Sequence, residues 1–180
     1  MQTCRVALFR GINVGQAKRV AMADLRKLFL TLGHTDVKTL LNSGNVVYSS
    51  TSERAEDDAL GIEKGLAAKL GVKARVTVLD GRDVKKAVQE NPLESSADDP
   101  SRLLLMVLRN SEAGAKLKPL LKESWSPEAC AIKRRIAYLW CPDGILGGRL
   151  WKAADRLVGD EGTARNLATM TKLAALVEDA

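Results

Sequence analysis

Hydrophobic and polar positions along the chain switch between two periods, and each switch marks an element. Residues 4–9 are a short apolar, β-prone run and predict a strand. Met22, Leu25, Leu28, Phe29 and Leu32 then recur at helical spacing as far as Gly33, a residue suited to ending a helix. Two β-rich runs, residues 37–41 and 46–48, flank Asn42-Ser43-Gly44-Asn45, whose small polar residues tolerate positive φ and predict a hairpin turn. Leu60, Ile62, Leu66, Ala67 and Leu70 form one face of a second helix over residues 53–70, closed by Gly71, and residues 74–79 alternate as a strand. The order is strand, helix, strand, strand, helix, strand. Asp80-Gly81-Arg82-Asp83 resembles a capping box with Asp in place of Glu, and it opens a short helix that Asn91-Pro92 stops.

Residues 93–101 have the composition of a linker, and beyond them the pattern starts again. Residues 103–108 predict a fully buried strand, 112–122 a helix in spite of Pro119, and 129–132 with 136–140 a hairpin turning at Lys133-Arg134-Arg135. Leu150, Trp151, Ala154, Leu157 and Val158 fit one helical face; Leu167, Met170, Leu173, Ala174 and Val177 fit another, in a final helix that Thr163 is placed to cap. No run in this half reads as a clear last strand. The expectation is an α+β fold of two ferredoxin-like halves in tandem, with antiparallel-rich sheets and helices on one face. The first half, with its closing helix, covers residues 1–91, the linker 92–101 and the second half 102–180.

Composition narrows the functional classes. Charged residues make up 28% and hydrophobic ones 46%, which is the balance of a folded chain and not of a disordered one. No uncharged apolar run approaches the ~18 residues that span a bilayer. The N-terminal residues lack the pattern of an export signal, and three scattered cysteines fit no disulfide framework or metal spacing, so a cytoplasmic, reducing setting is expected and no membrane partner. His34 is the only histidine, so any histidine-dependent mechanism would rest on a residue that reads as a helix-to-strand connection. The net charge of +6 is uneven: residues 1–27 hold Arg5, Arg10, Lys18, Arg19, Arg26 and Lys27 against Asp24 alone. Such a cluster is either a solvated basic face or a surface for an anionic partner.

The sharpest local signal is the loop over residues 11–19, between the first strand and the first helix. Gly11 and Gly15 free backbone N–H groups near a helix start, and Lys18 adds a cation, which is what an anionic group needs. It is not a Walker A loop, since Gly11 and Gly15 are only four apart and no Lys-Ser/Thr pair follows. The alternative is a structural loop packed on the sheet through Ile12 and Val14. Ser43-Gly44-Asn45 brings a hydroxyl and an amide to the same end of the sheet, although these are also ordinary turn formers. Arg165 and Asn166 read as the opening of the last helix, where they would fork a phosphate or carboxylate; equally, Arg165 would tie that helix to the first half. Phe9 and Tyr48 fall on the strands where RNA-recognition modules carry stacking aromatics, but the consensus of those modules is absent. Lys133-Arg134-Arg135 reads as a solvated basic tip, and Cys141 as a spectator thiol.

Several ordered motifs together resemble one family. They are Leu8-Phe9-Arg10-Gly11-Ile12-Asn13-Val14-Gly15, Met22-Ala23-Asp24-Leu25, Asn42-Ser43-Gly44-Asn45-Val46-Val47, and Thr163-Ala164-Arg165-Asn166 with Thr169 and Lys172-Leu173. The chain resembles the bacterial family called domain of unknown function 1697, and the likeness runs over nearly its whole length. The resemblance implies a ferredoxin-like repeat fold and no established activity. The chain departs from the family pattern at Gln16, where a further glycine is usual, and at Leu167-Ala168, where tryptophan and asparagine are usual.

The expectation is a protein that holds a phosphate-bearing or other anionic ligand between the loop and the last helix. Arg10, Lys18 and Arg165 would neutralise charge, Asn13 and Asn45 would orient the ligand with Asn166 beside them, and Gly11 and Gly15 would let it approach the backbone. Two alternatives stay open: a nucleic-acid-binding module on the same basic surface, and a non-catalytic interaction or assembly protein. No cofactor motif, metal set, nucleophile or general base stands out, so whether the protein is an enzyme stays open, as does homo-oligomerisation.

Overall fold

The structure is a computed structural model that describes residues 2–14 and 19–178. Two compact units divide the chain: the first takes the residues up to Lys85 with the segment from Leu173 onward, and the second is Lys86–Lys172.

The first unit contains β1 (Thr3–Arg10), α1 (Met22–Thr31), β2 (Thr35–Leu40), β3 (Asn45–Ser50), α2 (Ala55–Leu70) and β4 (Arg75–Asp80), and it ends in the first half of α3 (Gly81–Gln89). The strands form one antiparallel sheet in the order β2-β3-β1-β4. Side chains alternate across a strand, so Ala7 and Phe9 of β1 and Tyr48 of β3 meet Leu25, Leu28 and Phe29 of α1 and Ile62 and Leu66 of α2 in one buried cluster. Burying each of the leucine, isoleucine and phenylalanine side chains among them contributes roughly 1.5–3 kcal/mol. Val6, Leu8 and Val47, on the opposite parity, are buried as well. That two-sided burial explains why β1 reads as a continuous apolar run. The helix α2 stops at Gly71, whose φ of 65° is the left-handed cap that only glycine adopts at no cost. At the sheet edge, β2 shifts register between Thr35 and Lys38, and Asp36 takes a φ of 51°; this irregularity interrupts the ladder and blunts the edge.

The second unit contains β5 (Leu103–Leu108), α4 (Ser111–Leu117), β6 (Ala129–Lys133), β7 (Ile136–Trp140), α5 (Arg149–Val158), β8 (Gly162–Asn166) and the start of α6 (Leu167–Glu178). Its antiparallel sheet runs β6-β7-β5-β8. Leu104, Met106, Leu108, Ala137 and Leu139 pack against Ala113, Leu117, Leu150, Ala154 and Val158. The helix predicted over residues 112–122 is shorter as an α-helix and passes into a 3-10 turn at Lys118–Lys122. Pro119 has no N–H for the ladder and clashes with an α-helical turn, so the tighter turn takes over.

The main correction concerns residues 162–166. They form β8 and pair with β5, with Thr163 opposite Val107 and Arg165 opposite Leu105. Thr163 is therefore a buried strand residue rather than a helix cap, and Asn166 takes the capping role: its side-chain oxygen accepts from the Thr169 N–H at 2.9 Å. Among the described residues the chain is thus an α+β protein of two halves, with two four-stranded antiparallel sheets and six helices. No described helix is long and apolar enough to cross a membrane.

Candidate functional site

The loop after β1 is built on left-handed backbone. Gly11 has a φ of 70° and Asn13 a φ of 56°, so two of three successive residues take the left-handed conformation. Asn tolerates this conformation because its short amide bonds to nearby backbone. Here the Asn13 amide donates to the carbonyls of Val20 at 2.9 Å and Asn42 at 2.7 Å, and its oxygen accepts from the Val20 N–H at 2.7 Å. All three bonds are to main chain, so Asn13 closes the loop onto its own far end and onto the β2–β3 turn. Ile12 is buried in the first core, while Val14 is exposed. Gly11 is exposed, and nothing lies within 4 Å of where a Cβ would stand. Arg10 ends β1, half-buried, and Arg19 is exposed at the far side of the loop. Gly15 and Lys18 lie outside the described residues.

The β2–β3 turn meets this loop at close range. The Gly44 carbonyl accepts from the Phe9 N–H at 2.9 Å, and a Cβ on Gly44 would stand 2.7 Å from Phe9 Cβ and 2.5 Å from Ile12 Cδ1. Gly44 is therefore required by space as well as by its φ of 75°. Asn45 is fully buried; its amide donates to the Leu40 carbonyl at 2.9 Å and to Ser43 Oγ at 3.0 Å, which holds the turn shut.

The other expected residues lie in the second unit. Arg165 is half-buried on β8, donates to the Ala164 carbonyl at 2.8 Å, and has its pKa pulled down to about 10 by desolvation. Asn166 is the cap described above. The basic tip is not a free cationic patch: Lys133 and Arg134 both pair with Glu90, at 2.9 and 3.4 Å, and Arg135 donates to the carbonyls of Leu108 and Arg109. Phe9 and Tyr48 are 1% and 0% exposed and pack with Phe29, so neither presents a face to a base. Burial pushes the thiols of Cys130 and Cys141 up to about 11, with Glu128 adding to the second, so neither is a thiolate at neutral pH.

The sequence reading missed a polar cluster in the first unit. Arg5, 2% exposed, donates to Asp58 of α2 at 2.7 Å and to Asp80 at 3.2 Å, and its remaining N–H groups reach Ser52 and the carbonyls of residues 52–54. Asp58 also accepts from Tyr48 Oη at 2.9 Å, Ser50 Oγ at 3.1 Å and Ser52 Oγ. Desolvation alone would raise the Asp58 carboxyl, but the hydrogen bonds from Ser52, Arg5, Ser50 and Tyr48 outweigh it and hold the group below its ordinary range. Burial and then the neighbouring Asp58 charge push the Tyr48 hydroxyl far up. The His34 ring packs on Tyr48 and Phe29, with centroids 4.6 and 5.6 Å apart, and burial lowers its pKa. With every polar group paired, the cluster is a cross-link between sheet and helix, not an open site. A signal was present: Arg5 interrupts an apolar strand, and Asp58 sits four residues before Ile62 on the buried stripe of α2.

No curated protein matches the chain. Among solved structures it is similar to the conserved bacterial protein SP0830 from Streptococcus pneumoniae, with 20% sequence identity over 98% of this chain and 99% of that one and a TM-score of 0.76. At that identity the likeness speaks for the fold alone. The model of the family described as Protein of unknown function (DUF1697) matches residues 1–138, and the chain belongs to that family.

Proposed function

We propose that the protein binds a small phosphate-bearing or otherwise anionic ligand at the loop that follows β1. The observation that carries this reading is the loop's construction: Asn13 ties its backbone at both sides, while Gly11 stays open to solvent beside Arg10, with Arg19 across the loop. The described ends of the loop, at Asn13 and Val20, are tied together before binding, which lowers the conformational entropy they lose when a ligand arrives. Backbone N–H groups that a ligand approaches over a glycine, flanked by guanidinium groups, suit an anion. Asn13 and Asn45 serve this site as scaffold, while Gly15 and Lys18 are expected to contribute from within the loop. Arg165 and Asn166 belong to the second unit, and Arg165→Ala in the same ligand screen tests whether they also contribute to binding.

We also infer that each half is a ferredoxin-like unit. The order strand-helix-strand-strand-helix-strand in both halves, with the first strand central and the fourth beside it at the edge, supports that reading.

The test is a thermal-shift screen of the purified protein against inorganic phosphate, sugar phosphates, nucleotides, and short RNA and DNA, at low and moderate salt. A selective rise in Tm with a small phosphate compound, lost in Arg10→Ala and Lys18→Ala, is the expected result. A flat response throughout sinks the proposal. A response to polynucleotides alone that collapses with salt assigns the basic surface to nucleic acid instead.

A further inference from the structure

Resting on the anion site just proposed, we infer that its ligand is an amphipathic anion, with an aliphatic portion that lies over Leu41 and Val14. Four left-handed residues converge where the loop after β1 meets the β2–β3 turn: Gly11, Asn13, Leu41 and Gly44. Three of them have a local reason. Two are glycines, of which Gly44 has no room for a side chain, and Asn13 repays its conformation with three hydrogen bonds. Leu41 has none. A branched aliphatic side chain at a φ of 57° is strained, and at 51% exposure its packing returns little against that strain. Glycine or asparagine would fit the turn with less strain and without an exposed apolar group. A ligand that covers the side chain supplies the missing reason.

Placement agrees with this. The carbonyl that Asn13 grips belongs to Asn42, the residue after Leu41, and Val14, 70% exposed, follows Asn13 directly. Two exposed aliphatic residues, one on the β2–β3 turn and one on the loop that begins at Arg10-Gly11, therefore bracket one hydrogen bond. Cations with apolar surface beside them complement an anionic head with an aliphatic tail. The occupant is a free amphiphile rather than a membrane, because two side chains on a loop and a turn make no apolar helical face of the kind that lies in a bilayer interface.

The experiment compares inorganic phosphate with octyl phosphate, held below its micelle concentration, by calorimetric titration of wild type, Leu41→Asn and Arg10→Ala. Anionic phosphatidylglycerol vesicles form a further arm. The expected result is wild-type binding of octyl phosphate on the order of tenfold or more tighter than inorganic phosphate, from the alkyl area removed from water. Leu41→Asn removes most of that preference while keeping the affinity for inorganic phosphate, and its Tm lies at or above that of wild type because the strained leucine is gone. Equal affinities for the two probes, with phosphate binding still dependent on Arg10, overturn this inference and leave the anion site standing. A preference unchanged in Leu41→Asn also overturns it. Binding of neither probe overturns both, and binding to vesicles without binding to monomeric octyl phosphate replaces the free amphiphile with a membrane surface.

Discussion

On β1 the residues that face the helices are Arg5, Ala7 and Phe9; on β5 they are Leu104, Met106 and Leu108. The registers correspond. Arg5 lies between Tyr48 and Asp80 on the neighbouring strands, and Leu104 lies between Leu139 and Asn166. One strand order thus carries opposite chemistry at one position: an ion-paired network under α2 in the first unit, aliphatic packing in the second. The apolar version gains from area removed from water and asks little about direction. The polar version pays desolvation of both charges and recovers it only when every partner is in register. Connectivity therefore does not depend on which solution fills the position, whereas tolerance to substitution and to pH does.

The largest expected effect breaks the polar version from one side. Asp58→Ala leaves the Tyr48 phenol buried without this acceptor and strips the Arg5 guanidinium of its buried carboxylate partner, with only Asp80, Ser52 and main-chain carbonyls remaining, and it is expected to cost about 3–5 kcal/mol in urea denaturation. Leu104→Ala, in the corresponding place, costs about 2–5 kcal/mol through its cavity, and salt leaves that cost unchanged. A loss under about 1 kcal/mol for Asp58→Ala would show that the network contributes nothing beyond packing. Converting one solution toward the other sharpens the point: Arg5→Leu with Asp58→Leu removes both charges together and is expected to cost less than Asp58→Ala alone. A double-mutant cycle reads that coupling, and strict additivity would deny it. In the second unit, Asn166→Ala removes the cap of α6 and is expected to cost about 1 kcal/mol, visible as a lower urea midpoint with an unchanged slope.

The smallest effect is the pH dependence that two groups of the first unit contribute. Burial lowers the His34 pKa below its ordinary 6.5, so the unfolded chain takes up this proton first as pH falls. Stability from neutral His34 is full above that value and declines as pH drops below it, and His34→Gln should flatten the urea midpoint between about pH 7 and 5. Asp58 is depressed in the same sense from 3.8, so its contribution is present above that pH and is lost as pH falls through its lower folded value. Leu104 and Leu139 do not titrate, and variants there should leave both slopes as they are.

Much of the element order was legible because the relevant signals are local. Met22 to Leu32 has a helical period, Gly33 and Gly71 end helices by their own backbone freedom, and residues 103–108 are too apolar to be anything but a buried strand. The last strand was not legible. Residues 162–166 carry no alternating apolar pattern; what makes them a strand is main-chain pairing with β5, which leaves no mark on side-chain type. Of the candidate site, the glycines and cations of the loop after β1 stood out. The task of Asn13 did not, because its partners at Val20 and Asn42 are set by how the loop and the turn meet. The same holds for Lys133 and Arg134, which read as solvated until Glu90, more than forty residues earlier, is brought against them.

By itself, then, the sequence determined the α+β class, the doubled pattern, the family, and the concentration of positive charge near the N-terminus, since each follows from residue type and spacing along the chain. Tertiary structure alone decided that Arg5 meets Asp58, that Asn166 and not Thr163 caps α6, and that Leu41 stands strained beside the loop. Those outcomes depend on which distant groups are brought within hydrogen-bonding or van der Waals reach, and a one-dimensional pattern carries no distances.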